Sequence, residues 1–234
     1  MVKCMRIKLS NRLQAVARQI PAGLRVADVG TDHGYLPVYL VVNDIAPKVI
    51  ASDRGKRPLD SARQLISLLS LENQIDVRLG DGLSVLQPDE AEVICLAGMG
   101  GVAIKEIISA GLPLAQAAKR LVLQPQRNVP AVRRFLVSNG FKIVAEDLAE
   151  DDGFYYEIIA VEPGLMELTE QEADFGPLLL RDGHPLFKDF LILKETDLTQ
   201  LLAAMADNNS KDSLQRKKQL EEEISRIGKL IGSL

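Results

Sequence analysis

The order of apolar runs predicts an α/β chain: an open sheet of five parallel strands finished by an antiparallel hairpin, followed by a small helical unit. Three observations carry this. Short, often β-branched runs alternate with helical patterns between residues 25 and 139, as in strand–helix–strand crossovers. The alternation then stops, and two β-type runs follow one another across an Asp-Gly. Beyond Pro163-Gly164 only helical stripes remain.

Strands are expected at 25–29, 49–52, 75–79, 93–97 and 120–124, each short, apolar and bounded by Gly, Asp or Pro, as strands buried on both faces are. Helices are expected at 36–43, 57–69, 102–110 and 130–139, where apolar residues recur three and four apart; Asn139-Gly140 stops the last. Runs 141–148 and 155–161, joined through Glu150-Asp151-Asp152-Gly153, form the hairpin. The chain therefore divides into domains 1–164 and 165–234. In the second, Leu186, Phe187, Phe190, Leu191, Leu198, Leu201, Leu202 and Met205 form one stripe, and Asp207-Asn208-Asn209-Ser210 breaks it. Leu220, Ile224, Ile227, Ile231 and Leu234 form a second stripe at coiled-coil spacing, with Lys217, Lys218 and Glu221 to Glu223 outward. An antiparallel helical hairpin follows, and its stripes are packing features rather than chemistry.

The 234 residues are 47% hydrophobic and the mean hydropathy is near zero, a globular composition. No apolar run approaches the roughly 20 residues of a membrane helix. Lys3, Arg6 and Lys8 lie in a leader without the apolar core of a secretory signal, so a soluble, cytoplasmic chain with no membrane partner is expected. Cys4 and Cys95 are expected as free thiols, and no metal is expected. A net charge of −4 argues against bulk attraction to nucleic acid. Yet Lys3, Arg6, Lys8, Arg12 and Arg18 precede the first acid, which is either a solvated helix face or a phosphate-binding surface.

Right-handed crossovers put ligands outside the carboxyl ends of parallel strands. There the chain carries Gly30-Thr31-Asp32-His33-Gly34, Asp53-Arg54, Gly80-Asp81-Gly82 and Gly98-Met99-Gly100-Gly101. The Gly-x-Gly-x-x-Gly of dinucleotide sites is missing, and Asp32 occupies a place unsuited to a phosphate. Asp28-x-Gly30-x-x-x-Gly34 instead resembles the first motif of Rossmann-like S-adenosylmethionine-dependent methyltransferases, whose cofactor is cationic. Asp53 is placed for two ribose hydroxyls, although an acid there serves equally as a helix cap. Asp81 suits an adenine amine or a plain turn. Many amino-methylating enzymes carry Asn or Asp and two prolines after the fourth strand; this chain has Ala97-Gly98-Met99-Gly100-Gly101.

Five motifs in order, Leu9-Ser10-Asn11-Arg12-Leu13, Gly30-Thr31-Asp32-His33, Gly80-Asp81-Gly82, Ala97 to Gly101 and Leu123-Gln124-Pro125, resemble those of the bacterial tRNA adenine-22 N1-methyltransferases. Gln126-Arg127 departs from the pattern, which has Asn after the proline. The resemblance implies S-adenosylmethionine as donor, N1 of adenosine 22 as acceptor and tRNA as partner. Asp28, Gly30, Thr31, Asp32, His33, Gly34, Asp53, Arg54, Gly80, Asp81, Gly82, Ala97, Gly98 and Met99 are then the expected cofactor residues. Arg12, Asp32 and His33 are the expected catalytic residues, and Arg12, Tyr35, Gly100, Gly101, Gln124, Lys217 and Lys218 the expected tRNA contacts. Lys211 and Arg216 would extend that basic surface. His33 reads equally as a hydrogen-bonding strut, and Tyr35 as a packed residue.

Three other classes share parts of this pattern. A small-molecule methyltransferase would use the same loops but usually needs a lid, of which no insertion shows. A pyridine-nucleotide dehydrogenase is disfavoured by the glycine spacing. A non-catalytic RNA-binding protein has no physical need for acids on every loop.

Overall fold

The computed structural model describes residues 7–205 and 210–234; Lys3, Cys4, Arg6 and Asp207-Asn208-Asn209 lie outside them. Strands β1 (Val26–Val29), β2 (Val49–Asp53), β3 (Ile75–Leu79), β4 (Val93–Met99) and β5 (Arg120–Pro125) run parallel. Strands β6 (Phe141–Asp151) and β7 (Phe154–Pro163) are antiparallel to each other, and β7 pairs antiparallel with β5. The sheet order is β3-β2-β1-β4-β5-β7-β6. Leaving β1, the chain builds outward to β3 and then returns to the other side, so the strand order reverses between β1 and β4. Such a reversal opens a crevice at the carboxyl ends of the strands.

Helices cover both faces. On one lie α1 (Asn11–Arg18), α2 (Tyr35–Val42) and α3 (Lys56–Leu68), burying Val16, Leu40 and Ile66 against Val26, Val49 and Val93. On the other lie α4 (Gly101–Ala110), α5 (Leu112–Ala117) and α6 (Val129–Ser138), whose Ile104, Ala115 and Leu136 meet Ile94, Leu96 and Leu121. The result is a Rossmann-like open mixed sheet with flanking helices. Helix α1 begins because Ser10 caps it, accepting from Leu13 N at 3.4 Å, and it seats because Ala15, Val16 and Ala17 are small and buried.

The hairpin is longer than its apolar runs predict. Pairing continues to Asp151↔Phe154, leaving Asp152 (φ 52°) and Gly153 (φ 80°) as a two-residue turn with both φ positive. Glu150 and Asp151, expected in the connection, pair as strand.

The boundary expected at Gly164 is corrected: the compact units divide between Asp182 and Gly183. Helices α7 (Glu170–Phe175) and α8 (Pro177–Asp182) belong with the sheet through a buried ion-pair network. Arg133 on α6 meets Glu146 on β6 at 2.7 Å and Glu157 on β7 at 2.6 Å. Its remaining capacity goes to Ala173 O at 3.3 Å, while Glu146 Oε2 accepts from Leu178 N at 2.8 Å. Burial raises the Glu146 carboxyl, and Arg133 opposes that rise. A guanidinium wholly out of water requires such partners, so a stretch without a helical stripe is nonetheless fixed.

The second unit contains α9 (Phe187–Ala204) and α10 (Lys211–Ser233), which pack together. Ser210 caps α10, accepting from Ser213 N at 3.2 Å. Leu220 and Ile227 are buried, and Lys194 meets Glu223 at 3.6 Å. Lys217 and Glu223 are half-buried rather than outward, because Lys217, Leu220, Ile224 and Ile227 share one three-and-four seam. Among the described residues, no helix is long and apolar enough to cross a membrane.

Candidate active site

A cleft of about 560 Å³ lies at the carboxyl ends of the parallel strands. Its rim follows the sheet order: Gly80 to Gly82 after β3, Asp53 and Arg54 from β2, the loop after β1, then Ala97 to Gly100 of β4 and Gln126 after β5.

The first loop is stitched to the second. Gly30 N and Thr31 N both donate to Ser52 O, at 2.8 and 2.9 Å. The Asp32 amide donates to Asp53 Oδ2 at 3.2 Å, while Asp53 Oδ1 accepts from Gly55 N at 2.8 Å. Gly30 sits at φ 80°, where a side chain is strained, and a Cβ there would collide with the Met99 methyl group. Loop one and the end of β4 are therefore in direct contact across the strand reversal.

Asp32 adopts φ 53°, a left-handed conformation held by the Asp53 contact. Its exposed carboxylate lies 2.9 Å from His33 Nδ1, which orients the imidazole with Nδ1 as donor. The His33 ring stacks on Tyr35 at 6.0 Å and 20°, and all three side chains stand on the open side of the cleft. Gly34 starts α2 where its missing Cβ lets Ala62 approach.

Asp28 lies at the floor and is only 4% exposed. Burial pushes its carboxyl up to about 6, with Asp53 adding to the rise and the neighbouring Thr31 and Cys95 side chains opposing it. Cys95, a free thiol, is itself pushed up by burial and by Asp28. A buried acid facing a cleft favours a cation there. The Asp81 carboxylate lines the same cleft without a protein hydrogen bond among the described residues.

At the far end, Arg12 of α1 enters from above. Its Nη1 donates to Gln124 Oε1 at 2.9 Å, and its guanidinium lies 5.7 Å from the centre of the Tyr156 ring. Gln124 Oε1 also accepts from Gly98 N at 3.1 Å. Gly98 adopts φ 79°, a left-handed conformation that a side chain would strain, with Arg12 Nη1 in ordinary contact distance of its Cβ position.

Most of the expected site residues meet here, from Arg12 and Asp28 through Tyr35, Arg54, Asp81 and Gly82 to Ala97, Met99 and Gly100. Five are not in its lining: Gly34, Gly101 and Gln124 of the first unit and Lys217 and Lys218 of the second, and burial of Gly101 and Gln124 corrects their expected tRNA contact. Gln124 is wholly buried and serves as a strut beneath Arg12. Gly101 is buried where α4 meets α6, its Cβ position blocked by Arg127 O and Val132. Lys217 and Lys218 belong to the second unit, and Lys217 sits on its helical seam. Of the basic residues before the first acid, Arg18 is spent on Asp147 at 2.9 Å.

Sequence reasoning missed Leu13, Leu36, Ala103, Ile107 and Gln126, which also line the cleft. The apolar four lie on helices beside motif loops, where periodicity reports only core. Gln126 had a usable signal, since it directly follows the last strand on the ligand rim.

The lining fits S-adenosylmethionine. It offers acids to a cation and a diol, and at Gly30 it brings backbone close where a side chain would intrude.

Comparison with known proteins agrees. Residues 9–159 match the family model described as "Methyltransferase domain". The tRNA (adenine(22)-N(1))-methyltransferase of Bacillus subtilis (strain 168) is 34% identical over 229 residues, covering 94% of each chain. The chain belongs to this bacterial tRNA (adenine-22 N1)-methyltransferase family. Among solved structures, a Streptococcus agalactiae protein of the NADB-Rossmann superfamily superposes with a TM-score of 0.90 at 35% identity, covering 98% of this chain and all of that one. A Streptococcus pneumoniae tRNA methyltransferase family member, solved in complex with S-adenosyl-L-methionine, gives 0.87 at 32% identity, covering 96% and 100%.

Proposed function

We propose that this chain transfers the methyl group of S-adenosylmethionine to N1 of adenosine 22 in tRNA, giving 1-methyladenosine. The observation that carries the reading is the order of groups along the cleft. Asp81 and Asp53 stand at one end, Asp28 and Gly30 at the strand reversal, and Arg12, Gly98 and Gln126 at the other. Asp81 would take the adenine amine of the cofactor, Asp53 its ribose hydroxyls, and Gly30, Met99 and Asp28 the middle. The Arg12 end is left for the acceptor base.

When bound, S-adenosylmethionine supplies an electrophilic methyl whose departure leaves a neutral thioether. Adenine N1 has an in-plane lone pair and needs no prior deprotonation, so the protein's work is placement and charge. Asp32, exposed on the rim, offers negative charge as the base becomes cationic. His33, 2.9 Å from Asp32 through Nδ1, reads as the strut that orients that carboxylate. Tyr35, stacked on His33, presents an aromatic face to a base. Arg12 would hold a phosphate or the base edge while anchored to Gln124.

N1 lies on the Watson–Crick edge, so the target must leave any pairing before reaction. Lys218, exposed on α10, would contact tRNA from a coiled-coil hairpin seamed by Leu220, Ile224, Ile227 and Ile231. If Lys218→Glu leaves tRNA affinity and its salt dependence unchanged, that contact is excluded. A cytoplasmic location completes the reading, where tRNA and reduced thiols are found together.

Labelled methyl transfer to an unmodified tRNA pool, followed by nucleoside analysis, tests the assignment. Label in 1-methyladenosine is expected; cofactor binding without label in any tRNA would overturn the substrate while leaving the fold.

A further inference from the structure

Two glutamines flank Pro125 at the end of β5, and the structure treats them oppositely. Gln124 is buried with Oε1 committed to Arg12 Nη1 and Gly98 N, at 2.9 and 3.1 Å, and Nε2 committed to Pro125 O at 3.2 Å. It has nothing left for a ligand. Gln126 is exposed and lines the cleft, and among the described residues its side-chain amide has no protein partner. Its backbone is fixed, with N donating to Met99 O at 2.8 Å. Its Nε2 lies 4.0 Å from where a Gly98 Cβ would stand, on the spot that Arg12 Nη1 approaches to 3.4 Å. A free amide is thus held at the acceptor end of the cleft, beside a bare stretch of backbone and a cation.

We propose that Gln126 is the residue that reads the target base, pairing with the N6 and N7 edge of adenine; the inference rests on the tRNA reading above. A carboxamide matches that edge in both directions, with Oε1 accepting from N6–H and Nε2 donating to N7. This pairing leaves N1 uncovered for methyl transfer. Guanine presents O6 and N7, two acceptors, so Oε1 would face an oxygen, and its N1 carries a proton besides. The N6–H donor becomes more acidic as positive charge moves onto the ring, so the bond to Oε1 strengthens along the reaction. Gln126 therefore touches the reacting base and selects it.

An atom-specific test is a tRNA carrying 7-deazaadenosine at position 22, which replaces only N7 by C–H. With the unaltered protein, kcat/KM is expected to fall about tenfold relative to adenosine, the loss of one member of a bidentate pair. Gln126→Ala is expected to lose about tenfold or more on the normal tRNA, with no further loss on the 7-deaza tRNA. Its melting temperature and S-adenosylmethionine affinity are expected to stay unchanged, since the side chain supports nothing. Equal 7-deaza losses with and without the glutamine, or no 7-deaza effect in the unaltered protein, would overturn the inference while leaving the tRNA assignment standing. Failure of the unaltered protein to methylate the normal tRNA overturns both.

Discussion

Arg12 and Gln124 form a joint across the site, Nη1 donating to Oε1 at 2.9 Å, with the same oxygen taking the Gly98 amide at 3.1 Å. One buried amide thus sets both the guanidinium and the backbone at the acceptor end.

Replacing it by Gln124→Leu keeps the volume and strips these two hydrogen bonds together with the one that Gln124 Nε2 donates to Pro125 O. The unpaired Gly98 N–H and Arg12 are expected to cost about 1–3 kcal/mol in denaturant unfolding. Methyl transfer at saturating cofactor should fall by about tenfold or more, with S-adenosylmethionine affinity nearly unchanged. An unchanged turnover would remove Gln124 from the account.

Asp28 makes the protein's behaviour pH-dependent. In the fold its carboxyl is pushed up to about 6 from an ordinary 3.8. The folded state therefore holds the proton more tightly, and the stability this gives is present below the unfolded value and lost as pH rises through 6. Asp28→Asn should remove that slope between about pH 4 and pH 7 and make the cofactor-free protein up to about 3 kcal/mol more stable at neutral pH. In the unaltered protein, cofactor affinity should weaken about tenfold from pH 7 to pH 5 as the carboxylate is protonated. Calorimetric binding at both pH values decides it, and a flat profile would mean that Asp28 does not face the cation.

Gly30→Ala carries two faults at once, a methyl group into Met99 and a side chain at φ 80°. Loss of cofactor binding and about 1–3 kcal/mol of stability are expected. Adding Met99→Ala should relieve the collision but leave the backbone strain, so thermal unfolding should recover only in part. Full recovery would show that the conformation costs nothing.

Arg133→Leu leaves Glu146 and Glu157 facing each other without their cation. A loss of about 3–5 kcal/mol is expected. Proteolysis near α7 and α8 should accelerate, because Glu146 also holds Leu178. If the segment stays protected, its attachment rests on apolar contacts instead.

The parallel strands were legible because each is a short apolar run that must be buried on both faces, and Ile75–Leu79 fell where its run placed it. The ligand rim followed, since acids and glycines after such strands leave few alternatives. What escaped was set by partners distant in sequence. The hairpin extension needed cross-strand pairing of Glu150 with Tyr155, and α7 and α8 needed Arg133. Gln124 and Gln126 could not be told apart because burial alone separates a strut from a free amide. Lys217 looked outward by charge, yet its seam position keeps it half-buried.

The most direct test compares labelled methyl transfer to two tRNAs that differ only in carrying adenosine or guanosine at position 22. The account predicts 1-methyladenosine in the first and none in the second. Equal label in both, or label in another nucleoside, would contradict it.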